Sequence, residues 1–405
     1  MTKFYFDIRD IFRAPRLALS GKKILLQFMG LLIGYLGFLL FSYIAFLSAG
    51  SSFGETWEYH GLFPMSDLPF TQWYSWVIFG IGCLFALVCW LLASAMVGKI
   101  TYEQLKGDDF YSSKEALRFL KKNWSTVILT PFSLLVFIVF LIICGIVIGL
   151  LGKIPYVGEI GLGIFFLVPL FAAALFLAYV IFIFFFSLLL APAIVATTKE
   201  DTFETIVQTF SVIWNQAWRY FLYTGLLGVM AKVGIFIFGY FSFRATQLIY
   251  FSCGILMKEK LYDIFEEALS YITIPTHLLN YFSNIFPGIN FRFHLPEIGP
   301  GVYLDWSGNI STFLIAISLV FIIFMVISYG LAILSVGQTL THVILKKKKD
   351  DENLLERKTE MEEEEERREA EEKAKEEAKE QTKTEEKEKT ETGESEEKTG
   401  EETVT

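Results

Sequence analysis

Residues 162–196 read LGIFFLVPLFAAALFLAYVIFIFFFSLLLAPAIVA. No charged side chain interrupts this stretch, and a helix needs only about 20 apolar residues to cross the hydrocarbon core of a bilayer. A core helix of a soluble protein keeps a polar face; this stretch has none. It is read as a membrane span. Pro169 is expected to kink it, and Ala191-Pro192-Ala193 to mark its exit.

Five more stretches have the same character: Ile24 to Ala49, Trp76 to Val97, Val127 to Leu151, Tyr220 to Phe243 and Phe313 to Ile344. The expected fold is therefore an all-α integral membrane protein, a six-helix transmembrane bundle with interfacial amphipathic helices. The fourth and sixth stretches exceed one crossing, so tilt or a projecting end is expected for both. The first is too long for a signal-peptide core of 7–15 residues and is read as a retained span. Composition agrees: 53% of the 405 residues are apolar, 17% are aromatic and the mean hydropathy is +0.47. An ordinary cytoplasmic enzyme is excluded.

The net charge of −9 hides two unlike pieces. From Asp350 to Thr405 there are 25 acids and 11 bases, and before Asp350 there are 24 bases and 19 acids. Lysine and arginine are gathered before the first span (Lys3, Arg9, Arg13, Arg16, Lys22, Lys23), after the second (Lys99, Lys106, Lys114, Arg118, Lys121, Lys122) and after the sixth (Lys346 to Lys349). The segment from Ser51 to Tyr74 has neither, but holds Trp57, Tyr59, Trp73 and Tyr74. Positive charge stays inside and aromatic residues belt the interface. Both termini are accordingly expected in the cytoplasm of a bacterial inner membrane protein. Residues 1–23 form an interfacial helix, 24–349 the six-span domain with an outer segment at 244–310, and 350–405 an acidic low-complexity tail.

Amphipathic pieces fill the connections. Phe4, Ile8, Ile11 and Phe12 share one face of a short N-terminal helix expected to lie on the interface and stop near Ala14-Pro15. The connectors DDFYSSKEALRFLKKNW and EDTFETIVQTFSVIWNQAW both open with a cap signal, Ser112 with Glu115 and Asp201 with Glu204, and close on Trp124 and Trp218. That parallel admits either two copies of a span–interfacial helix–span unit or the common grammar of membrane proteins. Leu261, Ile264, Phe265, Ala268, Leu269 and Ile272 make an apolar stripe opposite Lys258, Lys260, Asp263, Glu266 and Glu267. Pro275 should end that helix, and a short apolar piece from His277 to Phe286 should follow it to a Pro287-Gly288 turn. The tail reads as one solvated helix grading into disorder, without the a/d seam of a coiled coil. It serves either as a solubilising segment or as a docking arm for a basic partner.

Chemistry-bearing residues are few. Lys232 falls near the middle of the fifth span, where a lysine costs about 2.5–3.5 kcal/mol on insertion scales. Either it lines a lipid or ligand cavity with hydroxyls such as Tyr223, Ser328 and Tyr329, or it snorkels out of the membrane. Gly30-xxx-Gly34 and Gly145-xxx-Gly149 are close-packing motifs, for the bundle itself or for a second copy. His294-x-x-Glu297 and Glu58-x-His60 each offer two ligands, too few for a metal site. Cys83, Cys89, Cys144 and Cys253 lack paired spacing and read as packing residues. No nucleotide-binding glycine loop and no nucleophile elbow occurs. No catalytic residue, metal or cofactor is expected, and the acidic tail argues against nucleic acid as a partner.

The stretch LLLAPAIVATTKEDTFETIVQTFSVIWNQAWRYFLYTGLL, Leu188 to Leu227, resembles the membrane domain attached to some bacterial glycerophosphodiester phosphodiesterases. It is also similar to a wider set of uncharacterised polytopic membrane proteins, as are the opening DIFRAPRLALSGKK and the closing KKKKDDENLLERK. The resemblance covers about 40 residues and implies architecture; with a charged tail in place of a catalytic domain, it does not imply phosphodiesterase activity. The function expected is that of a non-catalytic scaffold or accessory subunit, with protein partners or a second copy, in contact with membrane lipids. The alternatives are a transport or lipid-handling protein built on Lys232 and, with least support, an intramembrane enzyme.

Overall fold

The computed structural model describes residues 4–62, 64, 70, 72–272, 280, 284 and 304–356. The tail beyond Glu356, the stretch from His277 to the Pro287-Gly288 turn and the His294–Glu297 pair lie outside the described residues, apart from isolated positions 280 and 284. The chain divides into a unit through Leu354 and the remainder. The α-helices are α1 Ile8–Ile11, α2 Ala14–Ala18, α3 Gly21–Ser48, α4 Phe53–His60, α5 Trp73–Lys106, α6 Ser113–Gly152, α7 Val157–Phe165, α8 Phe171–Thr198, α9 Thr202–Met257, α10 Glu259–Tyr271 and α11 Trp306–Asp350, all within the first unit. Six of them, α3, α5, α6, α8, α9 and α11, are long and apolar enough to cross a membrane. A π-helical turn at Phe166–Leu170 carries Pro169 and joins α7 to α8, the deformation expected where proline removes a backbone donor.

Helices outrun the apolar stretches. α9 has 56 residues broken at Gln216; the part after the break alone, residues 217–257, runs about 62 Å at 1.5 Å per residue, against a hydrocarbon core of about 30 Å. The first connector runs directly into the span that follows it within α6, whereas the second is set off from its span by a break in α9 at Gln216. Both caps form as the spacing predicts. Ser112 Oγ accepts from the Glu115 amide at 3.3 Å, and Glu115 Oε2 accepts from the Ser112 amide at 2.6 Å. Asp201 Oδ1 accepts from the Glu204 amide at 3.0 Å. Between Ser113 and Trp124 no glycine or proline breaks the helix, so it continues unbroken into the membrane. In α9 the one non-helical residue is Gln216, at φ −133° and ψ 31°.

α8 continues as a helix through Pro192 to Thr198. All residues from Leu190 to Thr198 are buried there, and that packing outweighs the lost backbone bond. The short N-terminal helix α1 stops at Ile11, close to Ala14-Pro15 as expected, and a second helix, α2, begins there. Pro15 sits in the first turn of α2, where its missing amide costs nothing. The segment also packs against the bundle. Ile11, Ala14 and Ala18 are fully buried in the main core with Tyr223, Tyr329 and Ile333, and the Tyr329 hydroxyl donates to the Pro15 carbonyl at 3.2 Å. Only Phe12 of the expected apolar face points out.

The most extensive helix pair is α3 with α5. A Cβ at Gly34 would lie 3.2 Å from the Cα and carbonyl oxygen of Ala86, so the backbones meet there. Gly30 abuts Ala93 and Gly37 abuts Phe85 in the same seam. α10 docks its stripe as the period predicts: Leu261, Ile264, Phe265, Ala268 and Ile272 are buried, against Tyr250 of α9 and Ala316, Leu319 and Val320 of α11. One region stays open. From Val139 to Tyr179, through the end of α6, α7 and the start of α8, no described side chain is buried.

Candidate functional site: a buried polar layer and its void

The helix ends nearest the chain termini enclose a layer of polar side chains. α3 contributes Gln27, fully buried, whose Nε2 donates to Ser335 Oγ of α11 at 2.7 Å and to Ser94 Oγ of α5 at 3.3 Å. One amide thus ties three spans. Gln338, one turn further along α11, donates to Thr224 Oγ1 of α9 at 3.2 Å. Thr197 Oγ1 of α8 and His342 Nδ1 share a hydrogen bond of 2.8 Å. At the bend in α9, Gln216 Nε2 donates to the Leu345 carbonyl at 3.2 Å. Small residues make this convergence possible. A Cβ on Gly98 of α5 would stand 3.0 Å from Thr339 Oγ1 and 3.1 Å from Ala196 Cβ.

Charge is present in the layer, and it is paired. Lys99 Nζ lies 2.6 Å from Glu103 Oε1, with both side chains almost fully buried. It stands 5.2 Å from the Phe119 ring centroid and 5.5 Å from that of Tyr102. Lys23 Nζ donates to Gln104 Oε1 at 2.8 Å and to the Leu17 carbonyl at 2.9 Å. By sequence Lys99 and Lys23 belong among the exposed positive charges flanking spans. The structure turns them inward, because the helices extend beyond their apolar stretches and carry these lysines into a protein-lined interior.

Between α5, α8 and α11 the layer leaves a void of about 10 Å³, on the order of one water molecule. Its floor is Ser94, Ser335 and Gln338; Leu188, Leu189 and Pro192 wall one side. Pro192 has no amide hydrogen, so the Leu188 carbonyl loses its helical donor there. Two atoms of the lining residues, Gln338 Oε1 and Trp90 Nε1, are buried without a hydrogen-bond partner. Buried polar atoms are ordinarily paired; these two belong to residues that line the same space.

The residues singled out in the sequence are dispersed. Tyr223 and Tyr329 share the main core, and Ser328 is buried with its Oγ unpartnered. Lys232 stands on the exposed side of α9, away from the buried Ala231 and Gly234. Gly30 and Gly34 lie in the α3–α5 seam, whereas a Cβ on Gly145 or Gly149 would meet nothing within 4 Å. Among the described residues no group of three potential metal ligands converges. Gln27 and Gln338 carry a signal in the sequence, amides inside apolar runs, which is quieter than that of a charge because an amide costs less to bury.

The chain's described ends meet beside this layer. Lys348 Nζ lies 3.0 Å from Asp7 Oδ1, and the Tyr102 hydroxyl donates to the Leu354 carbonyl at 2.7 Å. The Lys348 hydrogen bond and its positive charge hold the Asp7 carboxyl below its ordinary 3.8. A lowered carboxylate contributes stability above its unfolded value and loses it as pH falls through the folded one. Hydrogen exchange at Ile8–Ile11, corrected for intrinsic pH dependence, is expected to rise across that acid window. Asp7→Asn should show the faster exchange already at neutral pH. No protein family, curated protein or solved structure matches this chain.

Proposed function

We propose that this protein is a non-catalytic multi-pass scaffold or accessory subunit, seated in a bacterial inner membrane with both termini cytoplasmic, that holds a helical protein partner within the bilayer. The observation that carries this reading is the arm from Val139 to Tyr179. Two apolar helices and the turn between them run for about 40 residues without burying a described side chain, the longest such run among the described residues. Gly145 and Gly149 stand on that arm with open space before them. Glycines at this spacing let a neighbouring helix approach closely, which is how helices associate in lipid, where no hydrophobic force drives them together. A cavity built on Lys232 has less support, since that side chain lies on the exposed face of its helix.

The test is native mass spectrometry of the protein taken from its own membrane in polymer discs. A stoichiometric protein partner, or a defined homo-oligomer, is the expected result. The double variant Gly145→Leu/Gly149→Leu should release it and change bundle stability by less than about 0.5 kcal/mol, as exposed substitutions do. A wild-type monomer sinks the reading.

A further inference from the structure

The void between α5, α8 and α11 combines features that a packing defect does not. It has an open acceptor in Gln338 Oε1 and an open donor in Trp90 Nε1. It also has two hydroxyls, Ser94 and Ser335, already oriented by Gln27. Gln338 is 1% exposed, so its carbonyl oxygen has given up water without a replacement from the protein. Among the described residues that line the space none is charged. Its volume of about 10 Å³ admits a single oxygen-sized group and not a phosphate. The rim differs from the floor. Trp90, Leu188, Leu189 and Leu334 are partly exposed, whereas Ser94, Ser335, Gln338, Pro192 and Ala193 are buried.

Depth narrows the chemistry further. Gln27 lies five residues from Lys22, and Gln338 eight residues from Lys346. At 1.5 Å per residue these are about 8 Å and 12 Å inside the lysines. The polar zone of one leaflet is about 5–7 Å thick, so the void lies just below it, at the start of the hydrocarbon. A charged headgroup would have to leave its solvated layer to reach this level. An uncharged hydroxyl on an apolar chain would not.

We propose that the void binds the free hydroxyl of a neutral amphiphile, a diacylglycerol-like lipid or a long-chain isoprenoid alcohol. The hydroxyl donates to Gln338 Oε1 and accepts from Trp90 Nε1, and the chain leaves past Leu188, Leu189 and Leu334. This goes beyond scaffolding and does not depend on it, because the void and the Val139–Tyr179 arm share no residue.

The full chain is reconstituted in phosphatidylcholine nanodiscs and photolabelled with three probes bearing the same diazirine: a diacylglycerol, a phosphatidylcholine and an isoprenoid alcohol. Labelled peptides are located by mass spectrometry. Labelling around Leu188–Leu189 or Leu334 by the diacylglycerol alone assigns a glyceride. Labelling by the isoprenoid alcohol alone assigns that source, and labelling by both with phosphatidylcholine silent makes the hydroxyl the recognised feature. Trp90→Phe keeps the aromatic packing and removes the donor; it should lower specific labelling on the order of tenfold, the value of one well-made hydrogen bond. Gln338→Met, of similar volume but without the acceptor, is the second variant should the first lose its fold by thermal unfolding. Equal labelling by all three probes, no labelling at the rim, or labelling indifferent to the folded variants overturns the proposal and leaves a space for water only.

Discussion

Glu103→Gln is expected to destabilise the protein by about 3–5 kcal/mol, the cost of breaking one side of a buried ion pair. Lys99 and Glu103 are one helical turn apart on α5, 2.6 Å from nitrogen to oxygen, and almost fully buried. Neither the rings of Phe119 and Tyr102 nor the glutamine replaces a full negative charge in contact with the ammonium. The variant therefore keeps a desolvated cation without the carboxylate that it contacts at 2.6 Å. Replacing both partners tests the cause. Lys99→Met/Glu103→Leu removes the two desolvation costs together and should recover most of the loss, because a well-packed apolar pair is often as stable as the buried ion pair it replaces. Thermal unfolding of the wild type, Lys99→Met, Glu103→Leu and the double variant in one detergent gives the coupling directly. Equal losses in the single and double variants would mean that the side chains matter for packing and not for charge.

Gly34→Leu is expected to destabilise the protein by about 1–3 kcal/mol or more and to lower the yield of folded protein. The atoms in the way are the Cα and carbonyl oxygen of Ala86, each 3.2 Å from where the new Cβ would sit. Backbone atoms cannot rotate away as a side chain can, so the α3–α5 crossing has to open along its length. That seam is the most extensive in the bundle, and in lipid close packing is the main attraction between helices. The contrast with Gly145 and Gly149 is the control. These have the same residue type and spacing in another span, with no neighbour within 4 Å, so the same substitution should leave stability nearly unchanged. Thermal midpoints of the two sets, measured side by side, separate packing from helix propensity.

Two identical motifs with opposite surroundings show where sequence reading stops. Gly30-xxx-Gly34 and Gly145-xxx-Gly149 announce that a helix can be approached closely; neither says by what. Burial of a span in lipid and burial in protein demand the same composition, so an apolar run reveals a crossing without revealing which face meets another helix. The caps at Ser112 and Asp201 and the stripe of α10 are legible because they depend on neighbours within a few residues. What Pro192 does to its helix is not legible in the same way: packing from Leu190 to Thr198 carries α8 through it.

The candidate site is legible only in part. Lys232 draws attention as an intramembrane charge but lies on an exposed face, while the polar layer is built from quieter residues: Gln27, Ser94, Ser335 and Gln338. Each is a modest cost in its own span, and their meaning arises from meeting across 67 and 308 positions of sequence.

Six crossings, an all-helical fold, the helix starts and the amphipathic docking of α10 come from composition and period, because those properties are local and a bilayer permits few solutions to backbone hydrogen bonding. The inward turn of Lys23 and Lys99, the burial of the N-terminal segment beneath Tyr329, the unpacked arm and the void beside Gln338 belong to the tertiary structure alone. They depend on which helices converge and which diverge, and that is set by side chains hundreds of residues apart fitting, or failing to fit, against one another.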